Sequence, residues 1–328
     1  MPAQTTDALV VTQNGGSDML RIQSREVAAP GPGQLLVQVA AAGVNFIDVY
    51  QREGVYPVPT PFVLGSEGAG IVLATGDGVS VAAPGDRVCW SQTRGSAAGL
   101  VLVPESDAVP VPEPVPLEQA AAVMLQGMTA HYLVNDTYPV RAGDTVLVHA
   151  GAGGVGQLLI QLAKAKDATV ITTVSTRAKA DKARALGADH VLNYTETDDL
   201  AAAVRELTGG EGVAAVYDGV GKSTFDASLA SLRIRGTLAV FGGASGQVPP
   251  FDLQRLNSGG SLFVTRPALI HHLRTRQELL TRAGAVLDGL ALGGLRVEIG
   301  GRYPLAEAAR AYDDLENRRS TGKLLLVP

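Results

Sequence analysis

Short apolar runs recur along this chain, and their rhythm changes near residue 144. Before it, strand-like runs at Ala8–Val11, Leu35–Ala42, Gly68–Thr75 and Asp86–Trp90 are cut by Pro30-Gly31-Pro32-Gly33 and by Ala83-Pro84-Gly85-Asp86. Such punctuation predicts a compact β-rich domain. Residues Val109–Pro116 alternate with Pro110, Pro112, Pro114 and Pro116 and read as an extended linker; a helix is predicted over Leu117–Tyr132. From Asp144 onward, apolar strand runs alternate with helical stretches. The strands are predicted at Thr145–Ala150, Ala168–Val174, His190–Leu192, Val213–Tyr217, Thr237–Phe241 and Leu262–Thr265. The helices between them run to Lys166 and over Arg177–Leu186, Asp198–Thr208 and Thr224–Leu232. That alternation predicts an α/β fold with a doubly wound parallel sheet covered on both faces. The tail loses the alternation: a helix over Arg274–Leu292, a strand near Arg296–Ile299, a helix over Leu305–Glu316 and a strand over Lys323–Val327. It is expected to return to the first domain. The predicted organisation is therefore residues 1–122 with 268–328 as one domain and 123–267 as a second.

Composition narrows the function classes. Hydrophobic residues are 46% and charged residues 18% of 328, which suits two buried cores and not disorder. The formal net charge is -5 with no basic run, so phosphate-driven binding of nucleic acid is not expected. No apolar stretch reaches the length of about 18 residues that a membrane helix needs, and no secretory leader pattern is visible at the N-terminus. One cysteine, Cys89, rules out an internal disulfide and leaves almost no basis for a thiolate zinc site. A buried structural thiol in a cytoplasmic protein is the expectation.

The sharpest local signal is Gly151-Ala152-Gly153-Gly154-Val155-Gly156, which follows a predicted strand and opens a predicted helix. In that context the glycines permit a tight turn, approach of a pyrophosphate to backbone, and close helix–sheet packing. The helix N-terminus then offers N–H groups to the anion. A dinucleotide site that prefers NAD carries an acidic residue at the end of the next strand. Here that end reads Ser175-Thr176-Arg177-Ala178-Lys179. Hydroxyls and cations in place of a carboxylate favour NADPH, although Arg177 and Lys179 read equally well as solvated charges of a first helical turn.

The stretch Gly143-Asp-Thr-Val-Leu147-Val-His-Ala-Gly-Ala-Gly153-Gly-Val-Gly156, with Gln161 and Lys164, resembles the signature of quinone oxidoreductases. Those enzymes stand with the zeta-crystallins in the medium-chain dehydrogenase/reductase superfamily. Gly43-Val-Asn45-Phe-Ile-Asp48-Val-Tyr50, Tyr217-Asp218-Gly-Val-Gly221, Phe241-Gly-Gly-Ala244, Val264-Thr265-Arg266-Pro267 and Thr321-Gly-Lys323 extend the resemblance over the whole chain. It implies a GroES-like partial barrel, a Rossmann domain, an active site in the cleft between them, and a homodimer. Zinc-dependent relatives have Cys where Asn45 stands and His where Ser66 stands, so no metal is expected. Without a Lewis acid the acceptor must itself be electrophilic, as quinones and enones are.

The resemblance also implies roles. Asn45 is expected beside the nicotinamide and the acceptor carbonyl as an oxyanion donor, with Tyr50 as its catalytic companion. Asp48, Tyr56 and Thr129 are expected to line the substrate site. Gly153, Gly154 and Val155 are expected at the pyrophosphate, and Ser175, Lys179 and Tyr194 at the 2′-phosphate. Gly219, Phe241, Gly242 and Ala244 are expected along the cofactor. Thr129, Val264, Thr265 and Arg266 are expected near its nicotinamide end, and Arg318 is expected to reach it from the first domain. Two departures stand out: Gln126 replaces a frequent Lys of bacterial relatives, and His131 replaces a Tyr. The implied activity is NADPH-dependent reduction of a quinone. An NADPH-dependent enone or 2-alkenal reductase and a non-enzymatic, crystallin-like NADPH-binding protein remain open beside it.

Overall fold

A computed structural model describes residues 3–328. Its first strands are β1 (Gln4–Val11), β2 (Leu20–Val27) and β3 (Gln34–Gly43), followed by the short helix α1 (Phe46–Arg52). Then come β4 (Phe62–Val63), β5 (Gly68–Thr75), β6 (Arg87–Trp90), β7 (Leu100–Pro104), β8 (Val109–Pro110) and helix α2 (Leu117–Tyr132). The central segment alternates: β9 (Thr145–Val148), α3 (Gly154–Lys164), β10 (Thr169–Val174), α4 (Arg177–Ala185), β11 (His190–Asn193), α5 (Leu200–Leu207), β12 (Val213–Asp218), α6 (Phe225–Ala230), β13 (Leu232–Val240), α7 (Gln254–Ser258) and β14 (Phe263–Thr265). The chain ends with α8 (Arg276–Ala291), β15 (Ile299–Pro304), α9 (Ala308–Glu316) and β16 (Lys323–Val327).

The chain divides into two compact units, Met1–Met128 with Leu273–Pro328, and Thr129–His272. In the first, β15-β16-β3-β5-β6-β8 form one sheet, with β7 also paired to β3, and β2-β1-β4 form another. The inner faces carry Leu35, Val37, Val88, Trp90, Val103, Leu324 and Leu326, which close on Tyr312 of α9. The tail therefore completes the sheet begun by the first strands: β16 runs antiparallel to β3 with Leu326 opposite Ala42.

The second unit is a six-stranded sheet in the order β11-β10-β9-β12-β13-β14, with every neighbouring pair parallel. This is the Rossmann order, which reverses direction between β9 and β12 and leaves a crevice at the carboxyl ends of those strands. Every residue of Val213–Asp218 is buried, as expected for a strand covered on both faces.

Some elements depart from the sequence expectation. The polar-looking β2 is a strand because all eight of its residues pair with β1. The expected proline linker contains β8, which pairs with β6 through Val109 and Pro110. A strand expected near Arg296–Ile299 lies instead at Ile299–Pro304. Parallel pairing with β16 overrides the poor strand propensity of Gly300 and Gly301 there.

Candidate functional site

In the second unit the glycine turn follows β9. A Cβ on Gly151 would lie 2.1 Å from Thr172 Oγ1, and one on Gly156 would lie 2.3 Å from the Ala150 carbonyl oxygen. Neither position accepts a side chain. Ala150 itself has a φ of 54°, and Gly153 caps α3 in extended conformation. The N–H groups of the first turn of α3 have no intrahelical acceptor, and Gly153, Gly154 and Val155 are half-buried beside them. The turn is thus a cradle with donors, suited to a pyrophosphate.

Ser175 and Lys179 are half-buried at the end of β10 and the first turn of α4, where Thr176 Oγ1 accepts from Lys179 N at 3.3 Å. Tyr194 N donates to the Val174 carbonyl at 3.0 Å, so Tyr194 joins Ser175 at the same strand end. No carboxylate lies within Ser175–Lys179. Gly219 and Gly242 meet backbone to backbone: a Cβ on Gly242 would lie 2.4 Å from the Gly219 oxygen. Phe241 N donates to the Asp218 carbonyl at 2.9 Å and Ala244 N to the Gly219 carbonyl at 3.2 Å. Gly242, Val264, Thr265 and Arg266 line a pocket of about 620 Å³ together with Phe225 and Phe251. Arg266 Nη1 donates to the Val240 carbonyl at 3.1 Å. Thr129 is buried in α2.

A buried polar chain that the sequence did not reveal holds these loops. His149 lies 3.1 Å from Thr173 Oγ1 and 2.9 Å from Ser228 Oγ. Ser228 Oγ donates to Asp218 Oδ2 at 2.8 Å, and Asp218 Oδ1 accepts from Val220 N and Gly221 N. Thr173 Oγ1 in turn accepts from Ala150 N at 3.3 Å. Burial lowers the His149 pKa against the opposing pull of Asp218, so the neutral ring is favoured. The chain links the glycine turn to the loop after β12.

In the first unit, Asn45 caps α1 and is 3% exposed. Its Nδ2 donates to Glu67 Oε2 at 2.8 Å and to the Gly43 carbonyl at 3.2 Å. Its Oδ1 accepts from Lys323 Nζ at 2.7 Å and from Gln126 Nε2 at 3.2 Å. Lys323 Nζ also lies 2.6 Å from Glu67 Oε2, with both side chains fully buried. Both amide hydrogens of Asn45 are therefore committed within the protein. Its expected role as the oxyanion donor conflicts with this arrangement, because a donor must have a hydrogen to give. Asp48 Oδ2 accepts from Asn45 N at 2.9 Å and from Tyr312 OH at 3.1 Å. Burial pushes the Asp48 carboxyl up to about 7, against the Asn45 N–H, the Lys323 charge and the Tyr312 hydroxyl. Tyr50 packs edge-on against Tyr56, with ring centroids 5.4 Å apart, and Phe46 lies 6.2 Å from Tyr50. Arg318 follows α9 with a φ of 57°. Cys89 is buried, and burial pushes its thiol pKa upward. Among the described residues no group of three or more His, Cys, Asp or Glu could hold a metal ion.

The sequence expectations thus fall into two sets. Asn45, Asp48, Tyr50, Tyr56 and Arg318 belong to the first unit, and the remaining expected residues to the second. Lys323 was legible only as a member of a motif, and its ion pair with Glu67 had no sequence signal.

Comparison with known proteins matches residues 31–113 to the alcohol dehydrogenase GroES-like domain and residues 154–279 to the zinc-binding dehydrogenase model. The second match begins after Asn45 and Ser66 and so does not bear on a metal at those positions. The chain is 43% identical to the quinone oxidoreductase of Pseudomonas aeruginosa, over 96% of this chain and 97% of that one. It is 41% identical to a 2-haloacrylate reductase of a Burkholderia species, over 98% of each. A mycobacterial structure solved as a complex with NADPH is 52% identical and superposes with a TM-score of 0.95, over 98% of this chain and all (100%) of that one. With its Rossmann sheet, its second β-rich unit and these full-length relatives, the chain belongs to the quinone oxidoreductase family of the medium-chain dehydrogenase/reductase superfamily.

Proposed function

We propose that this protein reduces quinones with NADPH by hydride transfer, without zinc. The observation that carries the cofactor choice is the acid-free end of β10, where Ser175 and Lys179 sit with Tyr194 beside a glycine turn that admits no side chain at Gly151 or Gly156. Relatives with NADPH bound and relatives named quinone oxidoreductases support the same reading. In it, Gly153, Gly154 and Val155 hold the pyrophosphate, while Ser175, Lys179 and Tyr194 hold the 2′-phosphate. Gly219, Phe241, Gly242 and Ala244 flank the cofactor, with Thr129, Val264, Thr265 and Arg266 toward the nicotinamide. Asn45 and Arg318 contribute from the first unit. NADPH bound there supplies a hydride, and the balance is NADPH, one proton and a quinone giving NADP+ and a hydroquinone. The protein's part is to orient the acceptor, exclude water and stabilise the oxygen that gains charge. Tyr50 and Tyr56 stand by the acceptor in this reading; Asp48, expected there too, is instead fully buried against Asn45 N and Tyr312 and holds the Asn45 loop. The 2-haloacrylate reductase relative favours one second reading, reduction of a small enone-like acceptor at the same site.

We also propose a homodimer. β14 is an edge strand whose Phe263 is 60% exposed, beside Ile234 at 72%, and open edges of this kind pair readily. No helix among the described residues is long and apolar enough to cross a membrane, and the buried lone thiol fits a reducing cytoplasm. Steady-state NADPH oxidation with a panel of quinones and enones tests the activity. Turnover with quinones above enones is expected; turnover with enones alone would move the assignment to the second reading. Cofactor binding with no turnover on any acceptor would leave a binding protein.

A further inference from the structure

A carboxamide looks the same end for end except to its hydrogen-bond partners, because its oxygen only accepts and its nitrogen only donates. In the first unit two opposite charges remove the ambiguity. Lys323 Nζ can only donate, so its 2.7 Å contact fixes the facing atom of Asn45 as oxygen. The Glu67 carboxylate accepts, so its 2.8 Å contact fixes the other atom as nitrogen. Glu67 is itself held by Leu125 N, which donates to Oε1 at 2.6 Å. The orientation then passes on. Asn45 Oδ1 is an acceptor, so Gln126 must turn its NH2 group toward it, at 3.2 Å. Reversing Gln126 would set oxygen against oxygen.

Asn45 has spent both its hydrogens, on Glu67 and on the Gly43 carbonyl. Gln126 has spent one. Its second N–H has no acceptor among the described residues, and its enclosed Oε1 has no donor. The side chain is half-buried on α2, next to the Leu125 amide that anchors Glu67. An aimed carboxamide with an unused N–H is the equipment needed to hold a carbonyl oxygen that gains negative charge.

We infer that Gln126 is the hydrogen-bond donor to the acceptor's carbonyl oxygen, and that Lys323, Glu67 and Asn45 are positioning residues that aim it. The inference rests on the proposed carbonyl-reducing activity. It assigns the ligand class as a conjugated ketone, quinone or enone, whose oxygen accepts the Gln126 N–H. Hydride adds to the conjugated system, the oxygen takes the electron pair as an oxyanion, and water then supplies the proton.

The test uses the full chain with 1,4-benzoquinone and 2-cyclohexenone. Gln126→Leu is expected to lower kcat by about tenfold to a hundredfold, a discounted form of the loss seen when an oxyanion donor is removed. The Kd for NADPH should stay within about threefold of the parent value, since no cofactor contact is removed. Gln126→Lys, which restores an N–H donor, should recover most of the loss. Asn45→Ala should lower kcat similarly, and the Asn45→Ala/Gln126→Leu double variant should be no slower than the single ones, because both act through one donor. Wild-type kcat in Gln126→Leu, with a full isotope effect from 4-deuterated NADPH, would overturn the inference. An independent readout needs no turnover. With Asn and Gln side chains 15N-labelled and NADP+ bound, 2-cyclohexenone should shift the Gln126 amide resonances and leave those of Asn45 in place. A shift at Asn45 alone would overturn the donor assignment, and it would do so even if the protein proved inactive with every acceptor.

Discussion

Replacing Lys323 by Met removes the cation that pairs with Glu67 inside the first unit. The two side chains are fully buried and 2.6 Å apart. Breaking a buried pair by deleting one member costs about 3–5 kcal/mol, because the remaining charge is left uncompensated. Glu67 keeps two donors, Leu125 N at 2.6 Å and Asn45 Nδ2 at 2.8 Å, which places the expected loss near the lower end, about 3 kcal/mol. The assay is built into the chain. Trp90 is the sole tryptophan, is fully buried in the core of that unit, and donates from Nε1 to Ser96 Oγ at 2.8 Å. Its fluorescence therefore follows the unfolding of the first unit and not of the Rossmann unit. With an m-value of about 1–3 kcal/mol/M, a loss of about 3 kcal/mol lowers the urea midpoint by about 1 M or more. Glu67→Gln should also destabilise, and the Lys323→Met/Glu67→Gln double variant should lose less than the sum of the two. A coupling below about 0.5 kcal/mol in that cycle is the additivity expected of independent sites, and it would refute the pairing as the source of stability.

Asp48 should make the same unit less stable as pH rises. Its carboxyl titrates at about 7 in the fold and near 3.9 when unfolded, so the native state binds the extra proton between those values. Its contribution is present below about pH 4 and is lost as pH rises through 7, worth at most about 4 kcal/mol. The difference in Trp90-monitored stability between the parent and Asp48→Asn, measured from pH 4.5 to 8, should change with that sign; a flat difference would refute it. Lys179→Ala should weaken NADPH by about tenfold or more, the worth of a charge-assisted contact, while NADH binding scarcely changes. Isothermal titration of both cofactors at matched salt measures this, and an equal loss for both would remove Lys179 from the 2′-phosphate. Cys89, buried with its thiol 3.6 Å from the Val109 carbonyl, should react with a thiol reagent only as the protein unfolds; rapid native labelling would contradict its burial.

The Rossmann half was legible because its strands are continuous apolar runs, such as Val213–Tyr217, separated by helices of ordinary length. The glycine turn was legible because steric exclusion at Gly151 and Gly156 leaves only one residue type possible. The β-rich half was harder. β2 reads as polar because most of its residues are wholly or partly exposed, and only its register with β1 marks it as a strand. α1 was hidden in Phe46-Ile47-Asp48-Val49-Tyr50, which has the composition of a strand and becomes a helix from the Asn45 cap. Lys323 was invisible as a functional residue because lysine is normally exposed. Its burial depends on Glu67, which no local pattern joins to it.

The closure of the first sheet by β16 also constrains how the protein is made. Glu67 and Lys323 are 256 residues apart, and the entire Rossmann unit is encoded between them. On a ribosome that unit is a continuous stretch and can fold as soon as it emerges, as domains generally do. The N-terminal sheet cannot. Until β16 emerges, β3 has only its β5-side partners at Ala42 and Gly43 and lacks those on its other edge, and the Glu67 carboxylate lacks its cation. The half of the protein synthesised first is thus the half completed last, with exposed strand edges for most of translation. A nascent-chain series should show protease resistance first in residues 129–272, and in the N-terminal residues only once Lys323–Val327 has left the exit tunnel.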